Sequence, residues 1–223
     1  MKSKDLKKRL ITSVPLIFLL GLSFYYSYIL ITSLFFISLI SFVEFKRLMS
    51  KIFKKKDIKT ILCKFSTNSL CAIYLALFSL LIFYSIIDQY MKLKIFYMFV
   101  VCIFSDIGGL IFGRTFKGRK LTKISPNKTV SGSIGSFILS LMLVPIFYFI
   151  MNDQFSEMFL LILITFFVSF CCQIGDLLVS FLKRKAKVKD TGNILPGHGG
   201  LLDRIDGMLI ALPLGIVFWK FLI

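Results

Sequence analysis

Apolar residues run through seven stretches of the chain, roughly 10–26, 28–45, 66–87, 95–113, 132–151, 157–180 and 206–223, and polar residues collect between them. Each stretch approaches the ~20 residues that a helix needs to cross a bilayer. The first two adjoin in one apolar run over 10–43. A single helix of that length would reach ~50 Å against a hydrocarbon core of ~30 Å, so the run is read as two spans. The pattern predicts an all-α, polytopic integral membrane protein of about seven transmembrane helices. The spans consume most of the chain and leave no room for a separate soluble domain. Lys2 to Arg9 followed by an apolar run has the look of a signal peptide. The run is too long and lacks a small-x-small cleavage site, which favours an uncleaved first span.

Composition agrees. With 57% hydrophobic residues and a mean hydropathy of +0.86, the chain is too apolar for a soluble globule. The net charge of +17 matters through its placement. If the N-terminus is inside, segments 1–9, 46–64, 114–128 and 183–204 hold 25 of the 28 Lys and Arg. That sidedness is what the positive-inside rule expects, and it places those segments in the cytoplasm. Cys63, Cys71, Cys102, Cys171 and Cys172 lack metal-ligand spacing and read as buried apolar thiols. His198 is the one histidine, so a His-based zinc cluster is excluded.

The chemistry is unevenly distributed. Residues 1–94 read as N-terminal transmembrane helices with a basic cytoplasmic loop, 46–64, either solvated or lying on anionic headgroups. Glu44, at the cytoplasmic end of the second span, is expected to snorkel or to pair with Lys46 or Arg47. Residues 95–223 read as a second transmembrane region that carries the candidate chemistry, with cytoplasmic loops 114–130 and 183–205. Asp106 lies eight residues before Arg114, ~12 Å of helix from the border. A carboxylate inside a membrane is costly, so Asp106 is a candidate for a ligand or substrate role, with a structural hydrogen bond as the alternative. Gly109 and Gly113 form a G-x-x-x-G that permits close helix packing and carries no functional weight. In the next loop, Ser125, Lys128, Thr129 and Ser131 could present donors to an anion near a helix start. An ordinary basic loop is the other reading.

Gln173, Asp176, Ser180 and then Lys183 or Arg184 share one face of a helix. Asp176 lies seven residues from Lys183, ~10 Å below the border, close to the depth of Asp106. Two aspartates at that depth imply a polar cavity facing the cytoplasm. The loop that follows brings Lys183, Arg184, Lys185, Lys187 and Lys189 together with Asp190, and Gly192, Gly197, Gly199 and Gly200 let backbone N–H groups approach a ligand. Asp203 and Asp206 then lie one turn apart on the last span, as hard oxygen ligands or as ordinary dipole complements. Cations, glycines and carboxylates in this mixture describe a site for a metal-bound polyphosphate.

The segment 173–206 resembles the phosphatidate cytidylyltransferase (CDP-diacylglycerol synthase) family. The family pattern falls on Gln173, Gly175, Asp176, Ser180, Lys183, Arg184, Lys189, Asp190, Pro196, His198, Gly199, Gly200, Asp203, Arg204 and Asp206. A looser match covers 105–132, including Asp106, Gly113, Ser125, Pro126, Lys128 and Thr129, with Gly109, Leu110 and Ser131 departing from the usual residues. The resemblance implies CTP plus phosphatidate giving CDP-diacylglycerol and pyrophosphate, with Mg²⁺ and room for a second cation, in a bacterial inner membrane. It implies Asp176 and Asp203 as the main metal ligands, with Asp106, Asp190 and Asp206 supporting. Lys183, Arg184, Lys189 and Arg204 would hold phosphates, and His198 would contact phosphate or the leaving pyrophosphate. Gln173, Ser180, Ser125, Lys128, Thr129, Gly197, Gly199 and Gly200 complete the expected substrate-binding set. Expected partners are CTP, phosphatidate and the lipid bilayer, with no nucleic acid and with a homodimer allowed for. A cation-coupled transporter and a CTP-dependent lipid-alcohol kinase are the competing readings.

Overall fold

The computed structural model describes residues 21–22, 25–55, 57–122, 125, 128–151, 155–194 and 199–222. Its helices are α1 (Ser27–Ile52), α2 (Ile58–Ile87), α3 (Gln89–Thr115), α4 (Val130–Leu141), α5 (Leu143–Met151), α6 (Phe155–Lys185) and α7 (Leu202–Leu222). No strand occurs among the described residues. Six helical segments there are long and apolar enough to cross a membrane, with α4 and α5 forming one of them. The chain is an integral membrane protein. The first predicted span, 10–26, lies mostly outside the described residues.

Two helices exceed their expected lengths. α1 runs on to Ile52 and α2 begins at Ile58, so most of the basic segment 46–64 is helical and only Phe53–Asp57 connects the two. Hydropathy marks membrane depth rather than helix length. Lys and Arg are good helix formers whose stems lie along apolar surface, so a helix can continue past the border. The span expected over 132–151 is interrupted at Met142. Pro145 accounts for this, because it has no N–H to offer the Leu141 carbonyl and its ring crowds that oxygen.

The chain divides into two compact units. One holds the described residues up to Phe83 together with Leu182–Ile205; the other holds Tyr84–Phe181 and the residues from Asp206 onward. The glycine- and lysine-rich segment falls in the same unit as the N-terminal helices.

In the larger unit, Tyr97, Met98, Val101, Ile164, Val168, Ala211, Ile216 and Trp219 are buried. Two hydroxyl pairs bond across helices in this core, Tyr97 with Thr165 and Ser105 with Ser169, the latter at 2.9 Å. The tightest packing is between α3 and α4. A Cβ on Gly108 would lie 2.4 Å from the Gly135 carbonyl oxygen, and one on Gly132 would lie 2.8 Å from that of Gly109. Glycine here permits backbone-to-backbone approach, so the G-x-x-x-G of α3 serves packing. Cys102, Cys171 and Cys172 are buried as expected, whereas Cys63 is exposed. In the smaller unit, Ser38 and Ser79 join α1 to α2 at 2.7 Å. Phe35, Phe36 and Leu77 have little protein cover there, which suits helices that face lipid.

Candidate functional site

Local backbone chemistry fixes where the polar side chains stand. In the larger unit, the segment after α3 folds back on itself: Lys120 and Thr129 form an antiparallel bridge, with Leu121 N–H donating to the Lys128 carbonyl at 2.8 Å. Thr129 then caps α4, its Oγ1 accepting from Gly132 N–H at 3.1 Å. Such a cap contributes ~1 kcal/mol and sets the direction of helix entry. Ser125 is buried; its N–H donates to Thr122 Oγ1 at 3.2 Å and its carbonyl accepts from Lys128 N–H at 3.0 Å. Lys128, held in this way, makes an ion pair with Asp176 of α6, both side chains being partly exposed. Ser180 donates to Asp176 Oδ1 at 3.4 Å, one turn along. Gln173 takes a hydrogen bond from Ser133 Oγ through its Oε1, while its Nε2 lies 3.5 Å from the Ser133 carbonyl oxygen. The predicted stripe of α6 is therefore bonded to the start of α4.

Asp106 and Asp206 belong to the same unit. Cys172 Sγ lies 3.8 Å from Asp106 Oδ1. Asp206 is buried, and its Oδ1 accepts from Gly207 N–H at 2.9 Å.

The smaller unit holds the second polar group. α6 stops in a two-bond C-terminal cap: Val188 N–H donates to the Lys183 carbonyl and Lys187 N–H to the Arg184 carbonyl, both at 3.0 Å. Lys187 takes φ 56° to make it, a left-handed conformation that costs a lysine ~1–2 kcal/mol. Lys183 Nζ then donates to Asp203 Oδ1 at 2.7 Å, with the carboxylate only 7% exposed. Asp203 Oδ2 accepts from Thr191 N–H (2.8 Å) and Gly200 N–H (3.2 Å), and Thr191 Oγ1 lies 3.0 Å from it. Gly199 has φ 85°, a conformation that an L side chain rarely adopts, beside Asp190 and Asp203. The Gly200 N–H, expected to face a ligand, is engaged by Asp203. Arg184, Lys189, Asp190 and Arg204 are exposed. Gly197 and His198 lie outside the described residues.

Sequence reasoning missed Glu44. It neither snorkels nor pairs with Lys46 or Arg47; it is fully buried. Its Oε1 accepts from Leu201 N–H at 3.1 Å, and its Oε2 accepts from Leu202 N–H at 2.9 Å and from Thr191 Oγ1 at 2.8 Å. A carboxylate at the start of α7 meets free N–H groups and the positive end of the helix dipole, which compensates its burial. The available signal was a lone acid beside a basic run, which reads equally well as a surface residue.

Among the described residues, no three His, Cys, Asp or Glu side chains gather into a metal site. The donors therefore do not form an all-protein cage. They do fit Mg²⁺ in its usual nucleotide setting, where one or two carboxylates suffice and substrate phosphates supply the remaining ligands. Asp176 and Asp203 are of that kind, and each currently has a lysine at its carboxylate.

Comparison with known proteins agrees over the whole chain. A sequence model described as the cytidylyltransferase family matches residues 1–222. A phosphatidate cytidylyltransferase of Bacillus subtilis is 45% identical over 147 residues, covering 65% of this chain and 54% of the relative. One of Staphylococcus haemolyticus is 48% identical over 121 residues, covering 54% of this chain and 46% of the relative. One of Rickettsia typhi is 40% identical over 142 residues, covering 60% and 61%. The chain spans about half the length of the curated relatives it matches. With a family match from end to end and the motif carboxylates and cations placed as described, the chain belongs to the cytidylyltransferase family.

Proposed function

We propose that the protein is a CTP:phosphatidate cytidylyltransferase of the bacterial inner membrane, forming CDP-diacylglycerol and pyrophosphate. The observation that carries this reading is the 40–48% identity to relatives named phosphatidate cytidylyltransferase. The paired lysine–carboxylate arrangement supports it. A phosphatidate phosphate oxygen attacks the α-phosphorus of CTP, the bond from that phosphorus to the bridging oxygen breaks, and pyrophosphate leaves. The nucleophile is already anionic, so the chain's task is charge neutralisation and in-line positioning. Mg²⁺, when bound, neutralises the polyphosphate and the charge that develops on the leaving group.

Asp176 in the larger unit and Asp203 in the smaller are each a carboxylate of the kind that takes Mg²⁺, with Asp106, Asp190 and Asp206 in support. Lys128 and Lys183 neutralise Asp176 and Asp203 beforehand and turn to phosphate oxygens when those carboxylates are taken. Arg184, Lys189 and Arg204 are exposed cations suited to the triphosphate, Arg through bidentate contacts.

Incubation of the purified protein with Mg²⁺, phosphatidate and either α- or γ-labelled CTP tests the reading. Label from the α position should enter the lipid phase as CDP-diacylglycerol, and the γ label should leave as pyrophosphate. Lipid labelled from the γ position, in a parallel incubation with diacylglycerol as the hydroxyl acceptor, would make the protein a CTP-dependent lipid kinase. No lipid label in either case from folded protein would favour a transporter.

The reading also requires the basic segments to face the cytoplasm, where CTP is found. In a variant lacking the native cysteines, Lys189→Cys should resist a membrane-impermeant thiol reagent applied to intact cells, and Gln154→Cys should react. Labelling at position 189 from outside would overturn the orientation.

A further inference from the structure

Glu44 is used by nothing in the reaction above, yet it is a fully buried carboxylate with three hydrogen bonds, at 2.8, 2.9 and 3.1 Å, from residues 147–158 positions further along the chain. Two of the donors are the N–H groups of Leu201 and Leu202, immediately before Asp203. The third is the hydroxyl of Thr191, which also lies 3.0 Å from Asp203 Oδ2. One hydroxyl has one proton, so Thr191 can donate to only one of the two carboxylates at a time. The shorter distance is to Glu44, which leaves Asp203 Oδ2 to the N–H groups of Thr191 and Gly200.

The glycines of this segment report the same arrangement. A Cβ on Gly192 would lie 2.4 Å from Glu44 Oε1, and one on Gly200 would lie 2.0 Å from Thr191 Oγ1 and 2.5 Å from Glu44 Oε2. Both positions exclude a side chain because the Glu44 carboxylate occupies the space. Gly200 in turn gives its N–H to Asp203. Two segments of the motif, 191–192 and 200–202, thus close around one carboxylate from α1, and Asp203 is bonded to both.

We propose that Glu44 is a positioning residue for Asp203. Through Thr191 and the first N–H groups of α7 it fixes the segment that presents the Asp203 carboxylate, and it touches no substrate itself. The proposal rests on Asp203 taking part in cytidylyl transfer as described above.

Glu44→Gln keeps the volume but places an amide N–H₂ against an N–H donor, and Thr191→Val removes the hydroxyl bridge while leaving the Glu44 carboxylate intact. Each variant should lower kcat by ~30–100-fold, with KM for CTP and phosphatidate within ~3-fold of wild type, because a misplaced group costs rate more than binding. The double variant should be no slower than the slower single one, since both act on one path. Residue-resolved amide exchange gives a second reading that is independent of turnover. In Glu44→Gln, whichever of Leu201 and Leu202 faces the amide N–H₂ loses its acceptor directly, and the amides of Thr191 and Gly200, which bond Asp203, should also exchange at least ~10-fold faster.

Multiplying losses in the double variant would overturn the proposal, as would faster exchange confined to Leu201 and Leu202. If Glu44→Gln cannot be purified folded, Thr191→Val decides alone, and a kcat within ~3-fold of wild type overturns the proposal. A wild-type protein that makes no CDP-diacylglycerol would remove the proposed reaction, while the exchange pattern at Thr191 and Gly200 would still decide whether Glu44 positions Asp203.

Discussion

Purified Asp203→Asn protein is expected to fold and to lose about 10³-fold or more in kcat/KM for CTP and phosphatidate. The substitution is nearly isosteric, and an amide oxygen can continue to accept from Thr191 and Gly200. The amide N–H₂ then faces Lys183 Nζ, which at 16% exposure keeps little access to water. The loss of one charge-assisted hydrogen bond should cost ~1.5–3 kcal/mol of stability, and the Oδ1 position can no longer serve a hard cation. Removal of one preorganised electrostatic contact typically costs ~10²–10³ in rate, and loss of a metal ligand costs more. Asp176→Asn should behave alike in turnover with a smaller effect on stability, because its pair with Lys128 is more exposed. Asp57→Asn, in the exposed α1–α2 connection, should be silent. Steady-state kinetics on monodisperse protein check all three, and comparable activity among them would remove the carboxylate assignment.

Gly175→Ala should be a strongly damaging single-methyl change. The added Cβ would lie 2.5 Å from the Asp206 carbonyl oxygen and 2.9 Å from Gly207 Cα. Both are backbone atoms, so no rotamer change relieves the clash, and α6 and α7 must move apart there. The reverse contact is as close, since a Cβ on Gly207 would meet Cys172 Sγ at 2.4 Å. Overpacking typically costs ~1–3 kcal/mol, and a clash with backbone belongs at the upper end, a fall of ~5–10 °C in Tm. Activity should fall further than Tm alone explains, because Asp206 sits at the contact. Gly21→Ala, with nothing within 4 Å, is the matched control. An unchanged Tm in Gly175→Ala would mean that the two helices do not approach at this point.

The helices were legible in the sequence because lipid imposes one simple condition, a long apolar run, and α1 to α7 meet it, α4 and α5 together as one run. The α6 stripe was legible for a similar reason: Gln173, Asp176, Ser180 and Lys183 are related by helical geometry alone. What the stripe bonds to was not. Lys128 with Asp176, Lys183 with Asp203, and Thr129 as a cap depend on how the chain folds back, and residue order carries no period that announces it. The ends of α1 and α2 were misjudged because hydropathy falls where lipid stops, not where the helix stops. Glu44 was least legible, because its donors are two backbone N–H groups and one threonine, none of which carries a charge for an acid to be matched with.

The three bonds to Glu44 also set an order of events during synthesis. Leu202 emerges 158 residues after Glu44, and Thr191 147 residues after it. At ~5–20 residues per second this is an interval of roughly 8–30 s, during which α1 is made and must be held without its partners. A chain halted before Thr191 has none of the three donors, so Glu44 cannot yet be buried as a compensated carboxylate. Insertion of α1 and completion of its inner end are therefore separate steps on the ribosome's clock, and residues from Thr191 onward decide whether α1 has a finished place to rest.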